Sequence, residues 1–177
     1  MTQLGFTLNV SRCSGCMACV VACMDQNDLP ESGPSFRHVV QIESGEYPSV
    51  KIDFFSVSCL HCSNAPCMIV CPTEALYKRQ ADGIVHLNQD LCIGCHSCLM
   101  VCPFGAPKFL DGKKMSKCNS CLERVDHGLE PACVRTCPTR ALGFGPVDEL
   151  IAENTGWASK TIIKKSNPQV ETRNQAD

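Results

Sequence analysis

Four cysteines stand inside one short run, "CIGCHSCLMVCP", at Cys92, Cys95, Cys98 and Cys102, with Pro103 behind the last. A loop that gathers thiols so closely must cross-link them or give them to a metal. The same C-x2-C-x2-C-x3-C spacing recurs in "CSGCMACVVAC", at Cys13, Cys16, Cys19 and Cys23. Two further groups are stretched versions of it. Cys59, Cys62, Cys67 and Cys71, in "CLHCSNAPCMIVCP", hold four residues between the second and third cysteines. Cys118, Cys121, Cys133 and Cys137 hold 11 residues there, "LERVDHGLEPA". The four groups use all 16 cysteines of the 177-residue chain.

Spacing decides between the chemistries. Thiols two residues apart bridge one another poorly as disulfides. The opening "MTQLGFTLNVSRC" carries no sustained apolar run before Cys13, which points to a chain made in a reducing, cytoplasmic compartment. Structural zinc usually takes two CxxC pairs separated by a longer loop. The compact run closed by proline is the bacterial ferredoxin arrangement for a [4Fe–4S] cluster. Three thiolates on a curling loop converge on three irons of one cube. The fourth is expected at the start of a helix, pointing away, where it ligates the cluster of a partner group. Gly15, Gly94 and Ala18 leave backbone N–H groups free to approach sulfur and help to set the potential. Four such groups predict four [4Fe–4S] clusters, with the cysteines as iron ligands.

Composition narrows the function. Charged residues make up 19% and the net charge is −2, so no nucleic-acid partner is implied. No run approaches the ~18 apolar residues of a membrane span, so the chain is not itself membrane-spanning. Large apolar side chains are few, and the clusters should therefore help to hold the fold. There is no G-x-S-x-G elbow, P-loop lysine motif or GxGxxG. The chain reads as an electron carrier and not as an enzyme with a catalytic constellation of its own. His61 and His96, inside cysteine groups, are read as neighbours of clusters or surface residues. Lys108, Lys113, Lys114 and Lys117 are read as a solvated loop.

The fold class expected is α+β: two pseudo-repeated bacterial-ferredoxin-like units of short strands, cluster loops and short helices. "CPTEAL", "CPFGAP" and "CPTRAL" echo one another after three of the groups. An inner unit spans 59–112, and an outer unit joins 1–23 to 113–142. A β-hairpin insertion, "RHVVQI" with "SVKIDFF", lies in 24–58. "FTLNV", "DGIVHLNQD" and "RALGFGP" read as short strands, and "PVDELIAENTG" as a helix ending at Gly156. The tetra-cluster domain is expected over 1–150 and a mobile tail over 151–177.

With these motifs in view, the chain resembles the four-cluster iron–sulfur subunits of the dimethyl sulfoxide reductase type. The resemblance runs from about Phe6 to Leu150, through "SFRHV", "VSCLHC", "CIGCHSC", "CPFGAP" and "RALGFGPVDEL". It implies four ligand sets: Cys13, Cys16, Cys19 with Cys137; Cys118, Cys121, Cys133 with Cys23; Cys59, Cys62, Cys67 with Cys102; and Cys92, Cys95, Cys98 with Cys71. It implies a wire in that order. The first cluster lies nearest a large molybdenum- or tungsten-pterin catalytic subunit of dimethyl sulfoxide, polysulfide, formate or aldehyde oxidoreductase type. The fourth faces a second redox partner, either a soluble flavin- or ferredoxin-type protein or a quinone-linked membrane subunit. It also allows export of the folded chain with its catalytic partner. The alternative is a free-standing polyferredoxin that shuttles between enzymes.

Overall fold

The computed structural model of the chain describes residues 2–110, 112 and 114–153. Cysteine loops leave little length for regular structure, and every element is short. The first strand, β1 (Leu4–Leu8), pairs antiparallel with the last, β6 (Leu142–Pro146), placing Phe6 opposite Phe144 with ring centroids 4.9 Å apart. This pairing brings the start of the chain beside the segment that follows the fourth cysteine group. A second antiparallel pair joins β2 (His38–Ser44) to β3 (Lys51–Val57), and a third joins β4 (Leu76–Lys78) to β5 (Val85–Leu87). Helices include α1 (Ala18–Gln26), α2 (Pro66–Ile69), α3 (Ser97–Val101), α4 (Leu122–Asp126) and α5 (Ala132–Arg135), and a further helical stretch covers 147–153. α1 packs on α5, and α2 on α3.

Several expectations move. The strand placed on "FTLNV" lies two residues earlier, because β6 sets its register and the last pair is Leu8 with Leu142. Asn9 N–H then donates to Ala141 O at 2.8 Å, and Val10–Arg12 tightens into a 3-10 turn. Strand β4 has no counterpart among the expected strands; three residues are too few to show a period. Residues 147–153 are helical, as "PVDELIAENTG" suggests, but the expected end at Gly156 and the tail from 154 lie outside the described residues.

A further correction concerns the helices that follow the regular groups. They begin one residue before the third cysteine, not at the fourth. Met17 (φ 62°) and His96 (φ 64°) take the left-handed conformation that ends the cluster loop and starts the helix. Cys23 therefore lies well inside α1, and Cys102 just past the end of α3. Cys19 and Cys23 thus lie four residues apart on one face of α1, displaced along its axis by about 6 Å, whereas Cys102 follows Cys98 in extended backbone beyond α3.

Thiols form much of the core. Cys19, Cys23, Cys59, Cys98, Cys118 and Cys133 are all buried, beside Phe36, Leu76, Ile84, Val85, Met115 and Leu142. All 16 cysteines are free thiols in the structure. Across the surface of the fold, Arg79 clamps Asp82 and Asp126, tying the β4–β5 turn to α4.

Candidate metal centres

Two cavities are lined by four cysteines each. One takes Cys92, Cys95 and Cys98 from the third group and Cys71 from the second. The other takes Cys59, Cys62 and Cys67 from the second group and Cys102 from the third. The second and third groups thus exchange their last cysteines. Each cavity thus brings together four cysteines, the number of ligands that a [4Fe–4S] cluster takes. Among the described residues, no three His, Cys, Asp or Glu side chains are gathered for a single metal ion.

The other eight thiols are related by packing and by mutual influence. Cys19, Cys133 and Cys137 share one buried cluster, where α1 meets α5. Cys23 is pushed up to about 11, first by burial and then by the neighbouring Cys133 and Cys121. Cys121 is raised by burial and again by Cys133. Cys118 is pushed up to about 12 by burial, with Cys59 and Cys23 adding to it. Burial also raises Cys19, with Cys133 and Cys13 contributing. It raises Cys67, reinforced by Cys59, Cys102 and Cys62, and takes Cys98 up to about 11, with Cys67 and Cys95 contributing. These thiols are poor proton donors while neutral and buried. As iron ligands they would be held as thiolates, which fits a site that binds metal and not free protons.

Such influences also cross between cysteine groups. Cys19 feels Cys133, Cys118 feels Cys59, and Cys98 feels Cys67. Each of the three buried packing clusters falls at one of these junctions.

The echo motifs have a local explanation. In "CPTEAL", burial raises Cys71, but the N–H groups of Leu76, Thr73 and Ala75 and the Thr73 hydroxyl outweigh it, and the thiol is lowered. In "CPTRAL", burial of Cys137 is outweighed by Leu142 and Ala141 N–H and by Thr139, again with a net lowering. Ala141 N–H reaches Cys137 Sγ at 3.3 Å. In "CPFGAP", Pro107 stands where those motifs have leucine and has no N–H to offer; Ala106 N–H alone reaches Cys102 Sγ, at 3.5 Å. Donors of this kind stabilise a negatively charged sulfur.

The two histidines fall on either side of their expected reading as cluster neighbours or surface residues, and one lysine departs from its own. His61 is buried, not on the surface, and lines the cavity of Cys59; its Nδ1 accepts from Val85 N–H at 3.1 Å, so the neutral ring carries its proton on Nε2. His96 is exposed and stacks on Phe109, with centroids 3.7 Å apart. Lys117 corrects the solvated-loop reading: it is buried against the same cavity as His61, with Nζ bonded to the carbonyls of Val85 and Cys118. Lys114 is exposed, Lys108 is half-buried beside its bridge partner Ser116, and Lys113 lies outside the described residues. Arg37, Ser56 and Ser58, to which the sequence reading gives no role, are buried together, with Ser56 Oγ 3.4 Å from Cys19 Sγ. Among the described residues, no helix is long and apolar enough to cross a membrane.

Comparison with known proteins points to the same kind of cofactor. A family model described as a 4Fe-4S dicluster domain matches residues 50–147, and a second of that description matches 12–75. The B subunit of the anaerobic dimethyl sulfoxide reductase of Escherichia coli strain K12 is 45% identical over 176 residues, covering 94% of this protein and 84% of that one. The chain belongs to the iron–sulfur subunit family of the dimethyl sulfoxide reductase type. As a member of that family it is an electron-transfer subunit, not a catalytic one, and it binds [4Fe–4S] clusters. Two further relatives from the same strain are YnfG, a probable anaerobic dimethyl sulfoxide reductase subunit, and the protein NrfC. YnfG is 44% identical over 160 residues, covering 84% of this protein and 76% of its own length. NrfC is 44% identical over 151 residues, covering 83% and 67%.

Proposed function

We propose that the chain holds four [4Fe–4S] clusters in a line and joins a large molybdenum- or tungsten-pterin catalytic subunit to a second redox partner. The observation that carries this is the grouping of thiols. The two four-cysteine cavities match two of the ligand sets implied by the family, Cys71/Cys92/Cys95/Cys98 and Cys59/Cys62/Cys67/Cys102. The influence of Cys121, Cys133 and Cys118 on or from Cys23 supports the third set. The packing of Cys19 with Cys137, and the effect of Cys13 on Cys19, support the fourth, which also takes Cys16. The pairing of β1 with β6 and the packing of α1 on α5 and α2 on α3 support two pseudo-repeated units, the outer one discontinuous.

A [4Fe–4S] cluster, when bound, takes up or releases one electron. The residues do the rest. Cysteines shared between groups hold neighbouring sites at fixed separation. Backbone N–H groups after Cys71 and Cys137 stabilise sulfur charge. The buried shell around Cys118 and Cys133 excludes water from the middle of the line. Cys16 and Cys95 are exposed, and they belong to the first and last sets. Partners therefore meet the line at its ends: the catalytic subunit beside the first set, the flavin-, ferredoxin- or quinone-linked partner beside the last.

Anaerobic purification from the native host tests this. The expected result is a large co-eluting subunit bearing molybdenum or tungsten. Iron-loaded protein without any partner would favour a shuttling polyferredoxin instead.

A further inference from the structure

Segment 24–58 holds no cysteine, and the four ligand sets give it no task. Its inner face is nevertheless built around a charge. Arg37, only 2% exposed, stands immediately before β2. Its Nη1 donates to Ser56 Oγ at 3.0 Å and its Nη2 to Ser58 Oγ at 2.8 Å. The guanidinium lies 4.9 Å from the Phe6 ring centroid, and Nε has no partner. Among the described residues, no carboxylate pairs with it. A guanidinium does not deprotonate in a protein, and burying one among hydroxyls and a ring is costly unless negative charge offsets it. The sulfur groups it acts on are Cys19, Cys23 and Cys121. As iron ligands these are thiolates, and they supply the missing charge.

The direction of the hydrogen bonds follows from the donor count. Arg37 can only donate, so Ser56 Oγ accepts from it. The single Ser56 O–H is then left for Cys19 Sγ, 3.4 Å away. The relay runs one way: Arg37 to Ser56 to sulfur. Ser58 takes the other arm of the fork, and its nearest further contact is the Cys59 carbonyl at 3.5 Å. The segment is also seated on the first cysteine loop. A Cβ added at Gly15 would lie 2.6 Å from the Phe54 ring of β3.

We propose that segment 24–58 tunes the first cluster: Arg37, acting through Ser56, stabilises negative charge on Cys19 and raises the reduction potential of the cluster that Cys19 ligates. Arg37 and Ser56 are positioning residues, and the inference rests on the ligand sets proposed above. A donor or positive charge beside sulfur favours the more negative, reduced state, so its loss lowers the potential.

The test is a redox titration, followed by electron paramagnetic resonance, of the anaerobically purified protein with its co-purifying subunits. Ser56→Ala should shift one cluster downward by about tenfold in its reduction equilibrium, about 59 mV for a one-electron couple, with iron unchanged. Ser58→Ala should leave that cluster within a small fraction of this shift, and Ser56→Thr should restore the wild-type value. An unmoved potential in Ser56→Ala at full iron content would overturn the proposal. So would an equal fall in every cluster, or an equal fall in Ser58→Ala. Should Ser56→Ala lose iron, Arg37→Lys decides: a fall confined to the same cluster supports the relay, and no fall sinks it. Wild-type protein that shows fewer than four clusters would instead overturn the ligand reading, before any variant is compared.

Discussion

The two regularly spaced cysteine groups and the two stretched ones differ in exposure at their first two cysteines, though each kind has three buried cysteines in all. Cys16 and Cys95, the second cysteines of the regular groups, are exposed, whereas their counterparts Cys62 and Cys121 are partly covered. The first cysteines repeat the pattern: Cys59 and Cys118 are buried, Cys13 and Cys92 only half so. In the sequence the extra residues of the stretched groups look like interruptions of a motif. In the structure they build elements of their own: "LERVDHGLEPA" forms α4 and leads into α5, and "SNAP" leads into α2. In the proposed line, the exposed loops are where partners would meet the protein and the more covered ones where an electron would pass between them.

The sharpest way to break this comparison is to remove one ligand from each kind of site. Cys95→Ser should lose about a quarter of the ~16 irons and leave a folded chain. Cys118→Ser also breaks the buried cluster of Cys23, Phe36 and Cys59, and should lose more iron and accumulate poorly. Equal losses, measured as iron per chain and yield, would remove the distinction between end and middle.

A smaller effect is expected at the loops. Gly15 has φ +70° and its added Cβ would strike Phe54, so Gly15→Ala should cost about 3 kcal/mol, from left-handed strain plus overpacking. Gly105 has φ +57° with nothing within 4 Å of an added Cβ, so Gly105→Ala should cost only about 1 kcal/mol. Denaturant midpoints of the iron-loaded protein measure both, and a reversed order would refute the clamp of β3 on the first loop.

The smallest concerns the Arg79 bridge between the β4–β5 turn and α4. Burial alone would raise the Asp82 carboxyl, but the Arg79 hydrogen bond and Ile84 N–H outweigh it, and the group is held below its ordinary value. Its stabilisation is therefore present above the ordinary carboxylate range and lost as pH falls through the depressed folded value. Asp82→Asn should cost about 1–2 kcal/mol at neutral pH, with the gap from wild type closing in acid. Asp126→Asn, at the exposed end of the bridge, should change the midpoint less. A gap that widened in acid would contradict the sign.

Legibility in the sequence follows locality. The cysteine loops are readable because each ligand position is fixed by spacing within a few residues. The end of β1 is not, because its partner Leu142 lies at the far end of the chain. Helix starts at Met17 and His96 escape notice because a left-handed residue that is not glycine leaves no compositional mark. Lys117 looks solvated among other lysines, and only the folded chain brings the Val85 carbonyl to it. Arg37 reads in sequence as the first residue of a strand. Its role depends on Ser56 and Cys19, which no local pattern connects to it.

The central claim is that the four cysteine groups make four cube sites, two at open ends and two between them. Iron and acid-labile sulfide per chain, with the iron types resolved by Mössbauer spectroscopy, test it most directly. The account predicts about 16 irons and about 16 sulfides, all in [4Fe–4S] form. About half that iron, or zinc in place of it at either stretched group, would contradict it.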